Sequence, residues 1–151
     1  MRGALIGFLA TLLAGALAIA YAQDIKPDRA IKYRQGAMTT MNWHFGMLGT
    51  MAKGERAYNK DEAIKRASYV AEVSKLPWEG FIPGSDQGAP TKAKPEVWKE
   101  PAKFKELQDK LMIETAKLEM VAKTGDEAAF KAQVGATGKA CTNCHDDFRA
   151  K

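Results

Sequence analysis

The sequence predicts an all-α protein folded as an antiparallel up-down four-helix bundle. Apolar residues recur at intervals of three and four in four separate segments, which is the spacing of amphipathic helices. Two of the connections between these segments are short, and short connections join antiparallel neighbours in a bundle. No segment shows the alternation of apolar and polar residues that is typical of a half-buried strand.

The N-terminal segment is set apart from these helices. Met1-Arg2 gives a positive start, residues 4–20 are almost entirely apolar, and Ala20-Tyr21-Ala22 is a small-x-small cleavage site. This pattern predicts a secretory signal peptide over residues 1–22 that is removed after Ala22, and a single domain over residues 23–151. A transmembrane anchor is the alternative, but the apolar run is at the short end of the ~20 residues that a span needs. We therefore expect an exported protein without a membrane segment after cleavage.

The composition is that of an ordinary globular domain. Of the 151 residues, 46% are hydrophobic and 27% are charged, and the formal net charge is +5. The lysines are spread along all segments and interleaved with acidic residues, so the concentrated basic face of a nucleic-acid-binding protein is missing. We expect no nucleic acid as a partner. The mild positive charge indicates weak steering toward acidic partners, and the redox partner stays unknown.

The first two helices have recognisable starts. Helix one is predicted to begin near Pro27, a favoured first-turn residue, followed by Asp28 near the positive helix end. Helix two opens with a capping-box pattern, Asn59 followed by Glu62, and precedes Pro77. The apolar stripe predicted for helix one consists of Ile31, Gln35, Met38, Met41, Phe45 and Leu48.

A long connection follows over residues 77–98. It holds four of the six prolines and three glycines, so it is not a helix. Its aromatic residues, Trp78, Phe81 and Trp98, indicate that it packs onto the bundle. A connection of this length in a compact domain is often functional.

The last two helices complete the bundle. Helix three is predicted from about Pro101 to Lys123, and helix four from Asp126 to about Phe148. Thr124 and Glu127 form a second capping-box pattern. Small residues are predicted to form the inner face of helix four, where they leave room for a flat, bulky group or for tight helix packing: Ala128, Ala132, Gly135 and Gly138.

The chemistry of the chain is concentrated near its end. Cys141, Cys144 and His145 form a C-x-x-C-H sequence, which is the attachment pattern of a c-type haem. On a helix these residues share one face, so it presents two anchoring sulfurs and an axial imidazole. A zinc site is one alternative, but it needs a fourth ligand and the only other histidine is His44. A disulfide or a redox dithiol is another, although a redox dithiol is typical of a βαβ context.

The other face of the iron needs a group from earlier in the chain. Neither methionine nor histidine follows His145. Met38 lies on the predicted inner stripe of helix one and is the natural candidate to face the haem. His44 lies six residues further on, about 240° around the helix, and is expected to point elsewhere. Met38 is either core filler, an iron ligand, or an apolar cover that does not bond to the iron.

With these motifs the mature chain resembles the cytochrome c′ family, a family of four-helix bundles. The resemblance rests on "AIKYRQGAM", "LPWEGFIPGS", "KPEVW" and above all "GKACTNCHDDFR" at the end of the chain. It implies one covalent haem c on the C-terminal helix, attached through Cys141 and Cys144, with His145 as the only axial ligand of a five-coordinate, high-spin iron. It further implies haem contacts from the following residues: Met38 on the distal face, Arg34 and Gln35 at the haem edge or propionates, Arg149 in the proximal pocket, and Thr91 in the connection.

The function implied by the resemblance is binding of nitric oxide and carbon monoxide, with a part in electron transfer or in nitric oxide sequestration. Oxygen is held well only with a hydrogen bond, and an apolar Met38 offers none. The alternative is a low-spin electron carrier with Met38 on the iron. We expect no enzyme, because a peroxidase needs a distal acid–base pair and His44 is misplaced for it.

The resemblance also implies a periplasmic location and a homodimer formed through the first two helices. Met47, Met51 and Tyr58 are candidates for exposed apolar groups on that side, and the alternative is that they belong to the core of the monomer.

Overall fold

The computed structural model of the protein describes residues 25–151, so the predicted signal peptide and its cleavage site lie outside the described residues. Four long helices and two short ones make up the fold, and the predicted four-helix bundle is confirmed. We name the helices in chain order: α1 Pro27–Ala52, α2 Lys60–Val73, the 3₁₀ turn η1 Pro77–Gly80, the short α3 Glu96–Lys99, α4 Pro101–Thr124 and α5 Glu127–Phe148.

The four long helices form a ring of neighbours. The helix α1 packs on α2, α2 packs on α4, and α4 packs on α5, while α1 and α5 close the ring with the fewest contacts. A seam therefore runs between α1 and α5 that is more open than the other three. Among residues 25–151, no helix has the length and apolar character needed to cross a membrane.

The helices begin where the sequence predicts, at Pro27, after Asn59, at Pro101 and after Asp126. The Asn59 side chain accepts a 2.9 Å hydrogen bond from the Glu62 N–H at the start of α2, as predicted. The predicted cap of α5 is wrong, because Asp126 rather than Thr124 is the cap and accepts from the Ala129 N–H. The hydroxyl of Thr124 instead accepts from the Asp126 N–H, which brings the carboxylate of Asp126 to the capping position.

The predicted inner face of α5 is wrong for three of its four residues. Ala128, Ala132 and Gly135 are exposed, and only Gly138 is partly covered. The face that α5 buries is shifted around the helix axis, and large apolar side chains fill much of it. Its buried residues are Phe130, Val134, Thr137, Ala140 and Phe148.

The predicted apolar surface on the first two helices also needs correction. Met51 is only 1% exposed and belongs to the bundle core, while the Tyr58 ring packs against Phe130 at a centroid distance of 5.2 Å. Met47 is half-buried. The aromatic residues that α1 and α2 do expose are Tyr33, at 42%, Trp43, at 68%, and Tyr69, at 43%.

The long connection packs its aromatic residues onto the end of α5. Phe81 and Phe148 both meet the ring of Phe104 edge-on, at centroid distances of 4.9 and 5.1 Å. Edge-to-face pairs of this kind add to the apolar area that such rings bury. Gly80 brings the connection against α1, since a Cβ at this position would lie 2.8 Å from Ala30 O. The connection is thus a packed part of the fold, as its aromatic residues indicated.

Candidate functional site

A cavity of about 790 Å³ opens between α1 and α5. Its two walls come from these helices, and Val70, Leu111 and Thr115 of α2 and α4 extend the lining. Its aromatic lining consists of Phe45, Trp78, Phe81, Phe104 and Phe148. The cavity follows from the open seam of the bundle, because α1 and α5 touch each other least.

The α5 wall carries the three residues of the C-terminal motif. Cys141, Cys144 and His145 all line the cavity, together with Phe148 and Arg149. They lie on one side of α5 because positions three and four apart share a helix face. Both cysteines are free thiols, so the disulfide alternative is not formed.

The protonation states on this wall follow from burial. Burial raises the pKa of Cys141, and burial together with the charges of Cys141 and Asp147 raises the pKa of Cys144 to about 11. Burial also lowers the pKa of His145, and the positive charge of Arg149 adds to this effect against the opposing charge of Asp146. At neutral pH the wall therefore presents two protonated thiols and a neutral imidazole, which is the form that binds a metal.

The α1 wall lines the cavity with a row of apolar side chains, flanked by the polar residues Thr39 and Asn42. Met38, Met41 and Phe45 recur at helical spacing and all line it. Met41 is 8% exposed, while Met38 and Phe45 are partly buried and pack against the bundle core. Two methionines, rather than Met38 alone, are thus candidates to face a bound group.

Arg34 stands at the edge of this wall and holds the long connection. Its side chain is buried, at 3% exposure, and both terminal nitrogens donate twice. Nη1 donates to Gly80 O and Ser85 Oγ at 2.7 Å, and Nη2 donates to Ser85 O at 2.7 Å and to Thr91 Oγ1 at 3.0 Å. Phe81 lies beneath the guanidinium, 4.6 Å from it to the ring centroid. Only Nε–H is left for any further partner, so most of the hydrogen-bonding capacity of Arg34 serves the connection.

Gln35 and Thr91 also line the cavity, next to Arg34. The side-chain amide of Gln35 donates to Pro90 O at 2.9 Å, and its carbonyl oxygen stays available. Thr91 accepts from Arg34 and from the Ala93 N–H. The structure therefore brings all the predicted haem-contacting residues to one cavity.

Arg149 is positioned by a strap between the connection and the C-terminus, formed by residues 92–94 against residues 148–150. The Lys94 N–H donates to Phe148 O at 2.9 Å, and the Ala150 N–H donates to Lys92 O at 2.8 Å. The Lys94 ammonium reaches two more carbonyls at the end of α5, those of residues 146 and 147. This satisfies carbonyls that a helix end leaves unpaired.

The buried polar groups of the cavity have their hydrogens engaged within the protein. Thr115 donates to Met112 O or to the Ser74 hydroxyl, and Thr137 donates to the carbonyl four residues earlier in α5. The indole N–H of Trp78 donates to Ser74 O at 2.7 Å. In this buried part of the cavity, a ligand thus meets apolar atoms and polar groups whose hydrogens are committed to other acceptors.

The second histidine is elsewhere. His44 is absent from the cavity lining and packs against the ring of Tyr69, at a centroid distance of 4.8 Å. Arg66 lies 3.4 Å from its Nδ1. Among residues 25–151, no three His, Cys, Asp or Glu side chains gather where they could hold a metal ion.

Comparison with known proteins decides the family. The family described as Cytochrome C′ matches residues 29–149. The chain belongs to the cytochrome c′ family. Cytochrome c′ from Rubrivivax gelatinosus is 45% identical over 126 residues, which cover 83% of this chain and 98% of that protein. The predicted family, fold and cofactor, a covalently bound haem c, are confirmed.

Solved structures of the family have the same fold. The crystal structure of the Rubrivivax gelatinosus protein matches with a TM-score of 0.81 at 44% identity, over 85% of this chain and 100% of that chain. Cytochrome c′ from Shewanella frigidimarina matches with a TM-score of 0.81 at 36% identity, over 83% and 98%. A nitric oxide complex of a mutant cytochrome c′ from Alcaligenes xylosoxidans matches with a TM-score of 0.79 at 36% identity, over 85% and 99%.

The cavity of this cytochrome c′ fits a haem. Its volume lies within the roughly 300–1,000 Å³ of cofactor pockets, and its walls are largely apolar. One wall carries the two thiols and the imidazole of the attachment pattern. Among the described residues that line it are three cations, Arg34, Lys92 and Arg149, and no Asp or Glu. This lining suits a flat apolar ring with an anionic propionate edge.

Sequence reasoning missed part of this lining. Trp78 and Phe81 were expected only to pack on the bundle, and Met41 only to belong to a stripe. Phe148 was not considered, although it lies three residues after His145 and so shares its face. That spacing could have identified it, whereas no local signal points to Phe104 or Lys92.

Proposed function

We propose that this cytochrome c′ is an exported, periplasmic haem protein that binds nitric oxide and carbon monoxide and takes part in electron transfer or nitric oxide sequestration. Cys141 and Cys144 attach the haem, and His145 is the only axial ligand of a five-coordinate, high-spin iron. When bound, the haem supplies an iron with one open coordination position. The observation that carries the proposal is the row of apolar side chains, Met38, Met41 and Phe45, with which α1 lines the cavity opposite the attachment pattern.

The cavity can select among diatomic gases because several of its hydrogen-bond donors are not available to a bound gas. Bound oxygen gains from a hydrogen-bond donor, and nitric oxide binds haem iron without one. The hydroxyls of Thr115 and Thr137 and the indole of Trp78 already donate to acceptors of the protein. Met38 has no hydrogen-bond donor. Next to these side chains, nitric oxide and carbon monoxide are therefore favoured over oxygen.

The proximal side is arranged by α5 and the strap. The neutral imidazole of His145 keeps a ring nitrogen free to bind the iron. Arg149 lies beside it and lowers its pKa. Because the strap fixes the backbone on both sides of residue 149, Arg149 is held at the cavity and borders the proximal pocket.

The comparisons support a gas-binding function. A mutant of the cytochrome c′ from Alcaligenes xylosoxidans, 36% identical to this chain, forms a nitric oxide complex. The shared family and fold make the same binding the simplest use of this cavity.

Carbon monoxide kinetics test the role of Met38. Met38→Ala should speed carbon monoxide association with the reduced protein, because a side chain that has to move is removed. Met47→Ala is the matched control, since Met47 is on α1 but does not line the cavity. Equal association rates for the two variants would remove Met38 from its proposed role.

The second candidate function is a low-spin electron carrier with a methionine on the iron. The observation in its favour is that two methionines line the cavity, so either could supply a sulfur ligand. The proposal includes no enzymatic reaction, since His44, the candidate for a distal acid–base group, is not among the described residues that line the cavity.

We further propose that the protein forms a homodimer through α1 and α2. Trp43 and Tyr69 are the large aromatic side chains that these helices expose to solvent besides Tyr33. Aromatic residues are enriched in protein interfaces. Sedimentation of the wild type and of Trp43→Glu tests this, with Trp98→Phe as an aromatic substitution away from that face. A monomeric wild type would contradict the proposal.

A further inference from the structure

A second space lies beside the haem cavity along the same seam. It is a groove of about 490 Å³ between α1 and α5, and we call it the seam groove. Residues without a side chain or with a small apolar one make up much of its lining: Gly46, Gly49, Ala52, Val134, Gly135 and Gly138. The groove exists because four glycines of α1 and α5 have no side chains to fill the space between the two helices.

The charges beside the seam groove are already paired. Lys53 and Lys131 are among its lining residues. The ammonium of Lys131 lies 2.6 Å from a carboxylate oxygen of Glu127, and that of Lys53 lies 3.9 Å from Glu55. The groove therefore offers an apolar surface rather than a site for an ion.

One aromatic ring separates the seam groove from the haem cavity. Phe45 and Gly138 are the two residues that line both spaces. A Cβ at Gly138 would lie 3.7 Å from Cζ and 3.8 Å from Cε1 of Phe45, so the ring faces the bare backbone of α5. No side chain of residue 138 therefore adds to the Phe45 ring at the boundary between the two spaces.

We propose that the seam groove is the route by which diatomic gases enter the haem cavity, and that Phe45 is its gate. This inference rests on the proposed gas-binding function. Nitric oxide and carbon monoxide are small and nearly apolar, so an apolar groove without free charge admits them. Three cations, Arg34, Lys92 and Arg149, line the haem cavity, and none of them lines the seam groove. They would hold the anionic edge of a haem on their own side of the cavity, which would leave the gases the route past Phe45.

A gate has a kinetic signature that a binding contact lacks. It changes the barrier between outside and inside, but not the free energy of either end state. Gas association and dissociation rates therefore change by the same factor, and the dissociation constant stays unchanged. A residue that touches the bound gas instead changes the dissociation constant.

Three substitutions test this signature on the haem-loaded protein. Gly135→Leu fills the groove, since a Cβ there meets no heavy atom within 4 Å, and Gly138→Ala closes on the Phe45 ring. Both should slow carbon monoxide association and dissociation several-fold and equally. Phe45→Ala should speed both. The control is Gly36→Leu, because Gly36 also faces open space on α1 but lines neither cavity nor groove.

Xenon gives a readout that does not depend on the iron. Apolar cavities bind xenon, so crystals of the wild type under xenon pressure should show a xenon atom between Gly46 and Gly135. In crystals of Gly135→Leu this peak should vanish. A seam groove without xenon in the wild type, or carbon monoxide rates that Gly135→Leu leaves unchanged, would overturn the route alone. A wild type that binds neither carbon monoxide nor nitric oxide would overturn the proposed function, and the route with it.

Discussion

Arg34 forms two hydrogen bonds to Ser85: Nη1 donates to the side-chain oxygen and Nη2 donates to the backbone oxygen, both at 2.7 Å. The two residues are 51 positions apart in sequence, and both are buried. This pair joins the first helix to the long connection that covers the aromatic side of the haem cavity. The shape of the site thus depends on one guanidinium group.

Replacing Arg34 should therefore cost much stability. Arg34→Met leaves the buried oxygens of Gly80 and Ser85 without their donor, and we expect the free energy of unfolding to fall by about 3–5 kcal/mol. Urea denaturation followed by circular dichroism measures it. Arg29→Met is the control, since Arg29 is an exposed residue of the same helix, and it should stay within about 0.5 kcal/mol of the wild type. Equal losses for both variants would contradict the anchoring role.

Gly80 should tolerate no side chain. A Cβ at this position would lie 2.8 Å from both Ala30 O and Arg34 Cβ, and neither atom can yield without moving α1. We expect Gly80→Ala to lower the free energy of unfolding by about 1–3 kcal/mol. Gly36→Ala in α1 meets open space and should instead raise it by up to about 1 kcal/mol. Opposite signs in thermal or urea unfolding confirm the close approach, and a neutral Gly80→Ala would refute it.

The strap should lose order when Lys94 loses its charge. Lys94→Met removes the ammonium that bonds the carbonyls of Asp146 and Asp147. We expect faster hydrogen exchange at the Ala150 amide, which donates to Lys92 O across the strap. Lys99→Met, at an exposed lysine of α3, should leave that amide unchanged. If both variants exchange like the wild type, Lys94 does not hold the strap.

The two cysteines should be necessary for covalent attachment. Replacing Cys141 and Cys144 together by serine should abolish the haem band that survives denaturing electrophoresis. His145→Ala is the comparison, because it should leave the haem attached but change the absorption spectrum. A haem band in the double serine variant would exclude this attachment, and an unchanged spectrum of His145→Ala would exclude His145 as the ligand.

Local signals in the sequence predicted the helices well. Pro27 and the pair Asn59 and Glu62 mark real helix starts because caps depend on neighbours in the chain. The same rule predicted the wrong capping residue for α5, because Asp126 and Thr124 both carry an oxygen that can cap a helix and lie only two positions apart. A pattern of residue types does not distinguish between two such neighbours.

Long-range contacts explain what the sequence could not predict. The glycines and alanines of α5 suggested a flat inner face, but the packing of Phe130 turned most of them toward solvent. The sequence predicted Arg34 as a haem contact. No pattern in the sequence predicts the hydrogen bonds by which Arg34 holds residues 80–91. The attachment pattern itself was clear because its three residues lie within five positions of one another.

The absorption spectrum of the purified mature protein tests the central claim most directly. It is recorded in the ferric state, after reduction, and after addition of nitric oxide. A five-coordinate iron behind Met38 predicts a broad high-spin spectrum in the reduced protein that shifts when the gas is added. A sharp low-spin spectrum that does not respond to nitric oxide would contradict the account and make the protein a methionine-ligated electron carrier.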